Sequence, residues 1–281
     1  MGTMMDRELR DGLGLARIPF LVLGVVLGLF MLVPLAIVVP TSWTAGQLLE
    51  FPPKGFSLQW YRAVFDDDTW TGPIMVSLRV SLFASLLSTV MGTATALGMR
   101  RLMQGRTSRV MRSLFIMPLA IPYVSYALGI YHLFLKLPSG LADTTLPLIL
   151  AQATITFPLV YVVVAGALAN VDPRLSSAAS TMGARWPTIL WRIELPLIKT
   201  AIIGGWVFAF ATCFDEATLA IFLSPVDQTT LAQQLYREAS ESIAPTLSAV
   251  STMITMLAIL VLGIGSLIMG RGTAARRGGN A

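Results

Sequence analysis

Charge is scarce in this sequence. Only 12% of its 281 residues are Asp, Glu, Lys or Arg, against the roughly 25% usual in a soluble domain. A chain so poor in ions cannot present a large water-facing surface. With 55% hydrophobic residues and a mean hydropathy of +0.72, most of its length belongs in lipid. There is one cysteine, Cys213, and one histidine, His132. That excludes a disulfide framework within the chain and a Cys/His metal cluster. No G-x-x-x-x-G-K-[ST] loop is present to cradle phosphates, and no H-E-x-x-H to hold zinc. An intramembrane enzyme is left with little chemistry. No cofactor is expected, and any ATPase site must lie on another chain.

What the sequence does have is long apolar runs. A bilayer core needs roughly 20 mostly apolar residues per helix. Six stretches qualify: 18–39, 74–99, 113–134, 146–169, 200–223 and 246–269. Strands of a closed barrel would be shorter and alternating, so the expectation is an all-α membrane protein with six transmembrane helices. No small-residue cleavage site closes the first run, which reads as an uncleaved span. The expected organisation is an N-terminal segment at 1–17, one transmembrane domain at 18–270 and a Gly- and Arg-rich, disordered tail at 271–281.

The net charge of +5 is unevenly placed. Arg7, Arg10 and Arg17 fall on one side, with Arg100, Arg101, Arg106, Arg109 and Arg112. Arg174, Arg185, Arg192, Lys199, Arg271, Arg276 and Arg277 join them. The opposite loops hold only Lys54, Arg62, Lys136 and Arg237, along with most of the acids. By the positive-inside rule both termini are expected to be cytoplasmic. No basic arm with interleaved aromatics suggests nucleic acid. In the long first outer loop, Trp60, Tyr61 and Trp70 suit a membrane interface.

Between the fourth and fifth runs lies an amphipathic island, DPRLSSAASTMGARWPTILWRIELP, within 171–196. Leu175, Ala178, Ala179, Met182, Trp186, Ile189, Leu190 and Ile193 keep to one helical face. Asp172 can cap a first helix with Pro173 at its first position. Gly183 is the expected bend, because it adopts positive φ at little cost. Trp186-Pro187 then opens a second short helix. Such a loop can pack on its own bundle or meet a cytosolic partner.

Ala178, Ala179 and Gly183, followed by Ile193, Leu195 and Pro196, resemble the signature loop of ATP-binding-cassette (ABC) importer permeases. In that family two alanines are followed after three residues by glycine, then after nine more by Ile-x-Leu-Pro, and both spacings hold. Ser177 stands where the family has glutamate, which removes that position's charge and leaves the packing surface. The resemblance implies type I importer architecture in a bacterial inner membrane. It also implies a docking site for two ATPase subunits, a second permease subunit and an extracytoplasmic solute-binding protein.

Asp215 and Glu216 interrupt the fifth run, WVFAFATCFDEATLAIFL. An ionised carboxylate near the bilayer centre costs about 2.5–3.5 kcal/mol on insertion scales, so two adjacent ones should not face lipid. They are candidates for a solute pathway. The structural alternative is pairing with Arg79 on the second span, or with Thr212 and Thr218. Tyr123 and Tyr126 follow the prolines of the third span and can hold an ammonium by cation–π attraction, though ordinary core packing is the commoner reason for each one taken singly. Pro34, Pro118, Pro122 and Pro158 are expected to kink or unwind their spans. Gly92 and Ala96, four apart, fit close helix approach.

FDEATLAIFLSP, TTLAQQLY, APTLSAVST and FPPKGFSLQWY are similar to the polyamine branch of importer permeases. The likeness extends over nearly all of 18–269 and implies spermidine, putrescine or a similar cation as solute. The alternative class, an ion-coupled secondary transporter, would need its own coupling-ion site in repeated halves, and no repeat is visible.

Overall fold

The computed structural model describes residues 17–102, 105–137, 140–241 and 244–260. Among the described residues every regular element is helical. Residues 1–16, the tail at 271–281 and residues 261–269 of the sixth expected span lie outside them, so both termini do as well. Four described helices are long and apolar enough to cross a membrane, or five if one bent pair counts as a single span. Pro245–Leu260 adds a shorter apolar helix.

The chain divides into two compact units. The first contains α1, Arg17–Thr41, and α2, Gln59–Asp66. Helix α1 runs unbroken through Pro34 and buries none of its most apolar stretch. Its end is tied by side chains. Thr41 Oγ1 donates to Ile37 O at 2.9 Å and approaches Ser248 Oγ at 3.3 Å. Ser42 Oγ and Tyr61 OH lie 2.6 Å apart, and Trp60 Nε1 donates to Thr44 O at 2.9 Å. Tyr61 and Trp60, expected at an interface, thus use their polar tips to hold the outer loop.

The second unit carries the long helices. Its elements are α3, Asp68–Leu102; α4, Gly105–Ile116; α5, Tyr123–Leu135; α6, Leu146–Ala169; α7, Pro173–Thr181; and α8, Trp186–Ile189. A π-helical turn, Leu190–Glu194, joins α8 to α9, Leu195–Phe214. Then come α10, Thr218–Leu223, and α11, Leu231–Glu241.

Helices α3, α6 and α9 form the core, and one residue shows how closely. Val160 of α6 is fully buried between Gly92 of α3 and Gly205 of α9. A Cβ on Gly92 would stand 2.9 Å from both Tyr161 N and Val160 Cβ, and one on Gly205 would stand 3.3 Å from Val160 Cγ1. In lipid no hydrophobic force drives helices together, so such close van der Waals contact and interhelical hydrogen bonds must. Ala96, Phe157, Val164 and Ile198 complete the cluster, and Phe115 of α4 packs edge-on to Phe157 and Tyr161 at 5.8 Å. Trp206 Nε1 donates to Ser85 Oγ at 3.1 Å, bridging α9 to α3.

Two expected spans are not straight helices. The third, 113–134, is broken. Helix α4 continues through a 3-10 turn, Met117–Ala120, and then meets α5 at 96°. Pro118 opens that turn, and Ile121, just before Pro122, is extended at φ −82°, ψ 129°, as a residue preceding proline prefers. Pro158, by contrast, stays inside continuous α6. The fifth span, 200–223, also differs. Its helix begins earlier, since Trp186–Phe214 is one apolar run of helix, and it stops at Phe214 before resuming as α10.

Gly92→Leu is expected to lower the thermal midpoint of the detergent-purified protein, because the neighbour it strikes includes backbone. Overpacking of this kind costs about 1–3 kcal/mol or more. Gly98→Ala, on the same helix with nothing within 4 Å, should leave the midpoint unchanged or raise it. Equal midpoints for the two variants would overturn this account of the core.

Candidate functional site

Two places in the second unit gather the residues singled out in the sequence. The first is the elbow at 172–196. Asp172 Oδ1 accepts from Arg174 N at 2.9 Å and Pro173 occupies the first turn, so α7 starts as its sequence implies. It ends in a Schellman motif. Gly183 has φ +81°, Gly183 N donates to Ser180 O, and Ala184 N donates to Ala179 O. Arg185, extended, then starts α8 with Pro187 in its first turn.

The bend divides the apolar face that looks single in sequence. Ala179 and Ile189 are buried, whereas Ala178 is exposed, as are Leu175, Met182 (83%) and Trp186. Leu175, Ala178 and Met182 follow i, i+3, i+7 spacing and form an outward ridge. Ile193 lies half-buried in the π turn, Leu195 packs on the core cluster, and Pro196 sits in the first turn of α9. The Ile-x-Leu-Pro element is therefore the joint between elbow and span and lies outside the exposed ridge. Ser177 Oγ donates to Pro173 O of its own helix at 3.2 Å. A second carboxylate of the elbow, Glu194, accepts at its Oε1 from Ser176 Oγ at 3.2 Å and clasps the two arms together.

Arginines brace this end. Arg100 donates to Leu168 O and Val171 O where α6 ends, adding to the bond that Leu168 O already accepts from Val171 N at 3.1 Å. The Arg101 guanidinium carbon lies 5.2 Å from the centre of the Trp186 ring. A groove between α3 and the elbow is lined by Arg100, Arg101, Ser176, Ser177, Ser180 and Glu194.

The second place is the break after α9. Asp215 closes α9 and is exposed, while Glu216 is half-buried. Neither meets Arg79, which donates to Gln228 Oε1 at 2.6 Å. Thr212 Oγ1 donates to Phe208 O. Glu216 Oε1 accepts from Thr218 N at 2.7 Å and from Leu219 N at 3.1 Å, capping α10. The two carboxylates thus differ in role: one opens α10 with its own oxygen, and the other makes no side-chain hydrogen bond or ion pair among the described residues, at the C-terminal end of α9. That end carries roughly −0.5 elementary charge from the helix dipole, so Asp215 deepens a negative spot. Helix α10 packs on α5 through Leu219, Ala220 and Leu223, with Tyr123 and Tyr126 against the same cluster. The structure brings both tyrosines to the neighbourhood of the break.

One contributor is missed by the sequence reading. Gln152 of α6 is 2% exposed, and its Nε2 donates to Cys213 O at 3.1 Å. Its Oε1 has no partner among the described residues. A bond of this kind contributes about 0.5–1.5 kcal/mol, while an orphaned buried acceptor costs about 1–3 kcal/mol. The amide therefore gives no net stability over an apolar side chain of the same length. The available signal was a lone amide in an otherwise apolar run, LPLILAQATITFPLVYVVVAGALA.

Comparison with known proteins fits this geometry. A family model described as "Binding-protein-dependent transport system inner membrane component" matches residues 88–270. The chain belongs to that family: it is a membrane-embedded permease component of an ABC import system, and is not itself an enzyme. It is 28% identical over 239 residues to the spermidine/putrescine transport system permease protein PotC of Haemophilus influenzae, covering 85% of this chain and 91% of that one. It is 28% identical over 249 residues to the putrescine transport system permease protein PotI of Escherichia coli, covering 87% and 88%. Among solved structures, a bacterial ABC transporter involved in import of the acidic polysaccharide alginate aligns with TM-score 0.70 at 15% identity, covering 94% of this chain and 99% of that one. The MetNI methionine ABC transporter, inward facing, aligns with TM-score 0.58 at 17% identity, covering 70% and 92%.

Proposed function

We propose that this chain forms half of the translocation pathway of an ABC importer for a small organic cation of the polyamine kind. The observation that carries this reading is the break after α9, where the exposed Asp215 carboxylate adds to the negative end of a helix within an apolar span. The names of the polyamine permeases it resembles agree with that chemistry. The fold itself is neutral on solute, since a similar one serves an acidic polysaccharide. Asp215 is the solute-facing carboxylate in this reading, and Glu216 is the cap that holds the bend. Tyr123 and Tyr126 supply aromatic faces for an ammonium.

The partners follow from the family and from neighbours such as the alginate transporter solved with a periplasmic protein. They are two ATPase subunits at the elbow, a second permease subunit completing the pathway, and a solute-binding protein on the outer side. Ser177, Ala178 and Gly183 form the docking surface with Leu175, and with Met182 at its tip, while Ala179, buried, backs it from inside the elbow. Ile193, Leu195 and Pro196 connect it to the span. Trp186–Phe214 is continuous helix of 29 residues, about 40 Å at 1.5 Å per residue. A push on the elbow by a closing ATPase therefore moves the helix whose far end bears Asp215.

Two outcomes are expected in proteoliposomes holding the complete transporter. Asp215→Asn should raise the KM for putrescine about ten- to a hundredfold, the value of a charged hydrogen bond of about 1.5–3 kcal/mol. Glu216→Gln keeps the capping oxygen and should stay near wild type. Equal losses in both would refute the assignment of roles, and absence of ATP-dependent putrescine uptake by the wild type would refute the cation reading itself.

Gly183→Val should uncouple the system, because left-handed backbone costs an L-residue about 1–2 kcal/mol and the elbow would open. Gly183→Asn, which tolerates that conformation, should keep solute-stimulated ATP hydrolysis. Retained stimulation in the valine variant would count against docking through this bend.

A further inference from the structure

An unbroken α9 would carry the helix ladder through 215–217. The N–H of residue 217 would reach Cys213 O, that of Thr218 would reach Phe214 O, and that of Leu219 would reach Asp215 O. Side chains stand in at one end of each. Gln152 Nε2 donates to Cys213 O at 3.1 Å, and the further donors there are backbone N–H groups of the closing turn, Glu216 N at 3.5 Å among them. Glu216 Oε1 accepts from Thr218 N and Leu219 N. The helix stops where these substitutes are available on the two sides of the gap.

Glu216 belongs to the break itself, but Gln152 comes from another helix, 61 residues away in sequence. It sits in the packed contact of α6 with α9, one turn from Thr156, whose Oγ1 receives the Cys213 thiol at 3.7 Å. Its Oε1 meets no donor. A residue present only for packing would do better without that oxygen.

We propose that Gln152 is a positioning residue for solute recognition: by holding Cys213 O it keeps α9 from running on, and so fixes how α10 stands relative to the Asp215 carboxylate. The idea rests on the reading of Asp215 as the solute contact. It makes α6 a determinant of solute affinity, although Gln152 touches no solute. In its absence Cys213 O can exchange Glu216 N for the residue-217 N–H. Helix continued past Asp215, at about 100° per residue, then turns α10 relative to the Asp215 carboxylate, which α9 itself holds through Asp215 N and Ala211 O.

The test uses the complete transporter in proteoliposomes, comparing wild type with Gln152→Met. Methionine keeps the length and loses both polar atoms. Three readouts are taken: the thermal midpoint, the KM and kcat for putrescine, and the rate at which a water-soluble carbodiimide with glycine ethyl ester modifies Asp215, read by peptide mass spectrometry. The expected result for Gln152→Met is an unchanged or higher midpoint. Its KM should rise about fivefold or more with kcat within about twofold, the pattern of lost binding and intact turnover. The Asp215 modification rate should change about threefold or more, as local structure at the break shifts. Unchanged KM and unchanged modification would overturn the proposal, and so would a lowered midpoint with KM untouched, which marks a packing residue. If the wild-type transporter takes up no putrescine, the cation reading fails separately, and the Asp215 modification rate alone decides whether Gln152 holds the break.

Discussion

A helix that stops inside a bilayer must find partners for the backbone groups its missing turn would have used. Water is absent there, and each unsatisfied group costs several kcal/mol. Much of the second unit can be understood from that constraint. After Phe214 the carbonyl of Cys213 is served by Gln152, and the first N–H groups of α10 are served by Glu216. Where α6 ends, Arg100 serves Leu168 O and Val171 O. At the start of α11, Ser77 Oγ accepts from Leu231 N at 2.7 Å. At these three points a polar side chain closes the backbone, Gln152, Arg100 and Ser77 from another helix and Glu216 from the break itself, whereas the bend at Gly183 and the turn before Pro122 close on backbone groups.

The regular parts serve a different purpose. Helices α3, α6 and α9 approach closely at Gly92, Val160 and Gly205. That contact is dry, apolar and intolerant of added atoms, so it resists bending. Motion imposed on α9 is then directed along or around its axis. In the proposed function, a rigid helix between a docking elbow and a broken far end would convert a push at one end into a displacement at the other. The π turn at Leu190–Glu194 sits where that push would enter. Turns of this type are frequent at functional points of helices, and here it lets the short α8 join α9 without a chain break.

What was legible in the sequence was what depends on near neighbours. The positive φ of Gly183, the cap by Asp172 and the rupture at Pro118 and Pro122 each follow from one residue and its immediate surroundings. The close approach at Gly92 and Ala96 was legible because small residues four apart leave few other uses. What depends on distant pairing was not. The sequence allowed Arg79 to pair with the acidic residues, but Gln228 takes it. The period of the elbow put Ala178 and Ala179 on one face, yet the bend at Gly183 turns α8 back and buries Ala179 while leaving Ala178 exposed. Gln152 looked like one polar residue in an apolar helix, and its meaning lies in a carbonyl 61 positions on.

Solute choice is the property least determined by architecture. The same arrangement of helices, at 15% identity, belongs to a transporter of an acidic polysaccharide. A fold that serves polyanions cannot by itself favour cations, so preference has to come from the side chains at irregular points of the pathway. In this chain the irregular point after α9 gathers a helix C-terminus and two carboxylates, and the second of these is already engaged with α10. The remaining negative charge is close to one unit plus the partial charge of the helix end. If the break lines the pathway, as proposed, that charge would attract a single ammonium without the several carboxylates that would hold it, a balance that a pathway needs if cargo is to leave as readily as it enters.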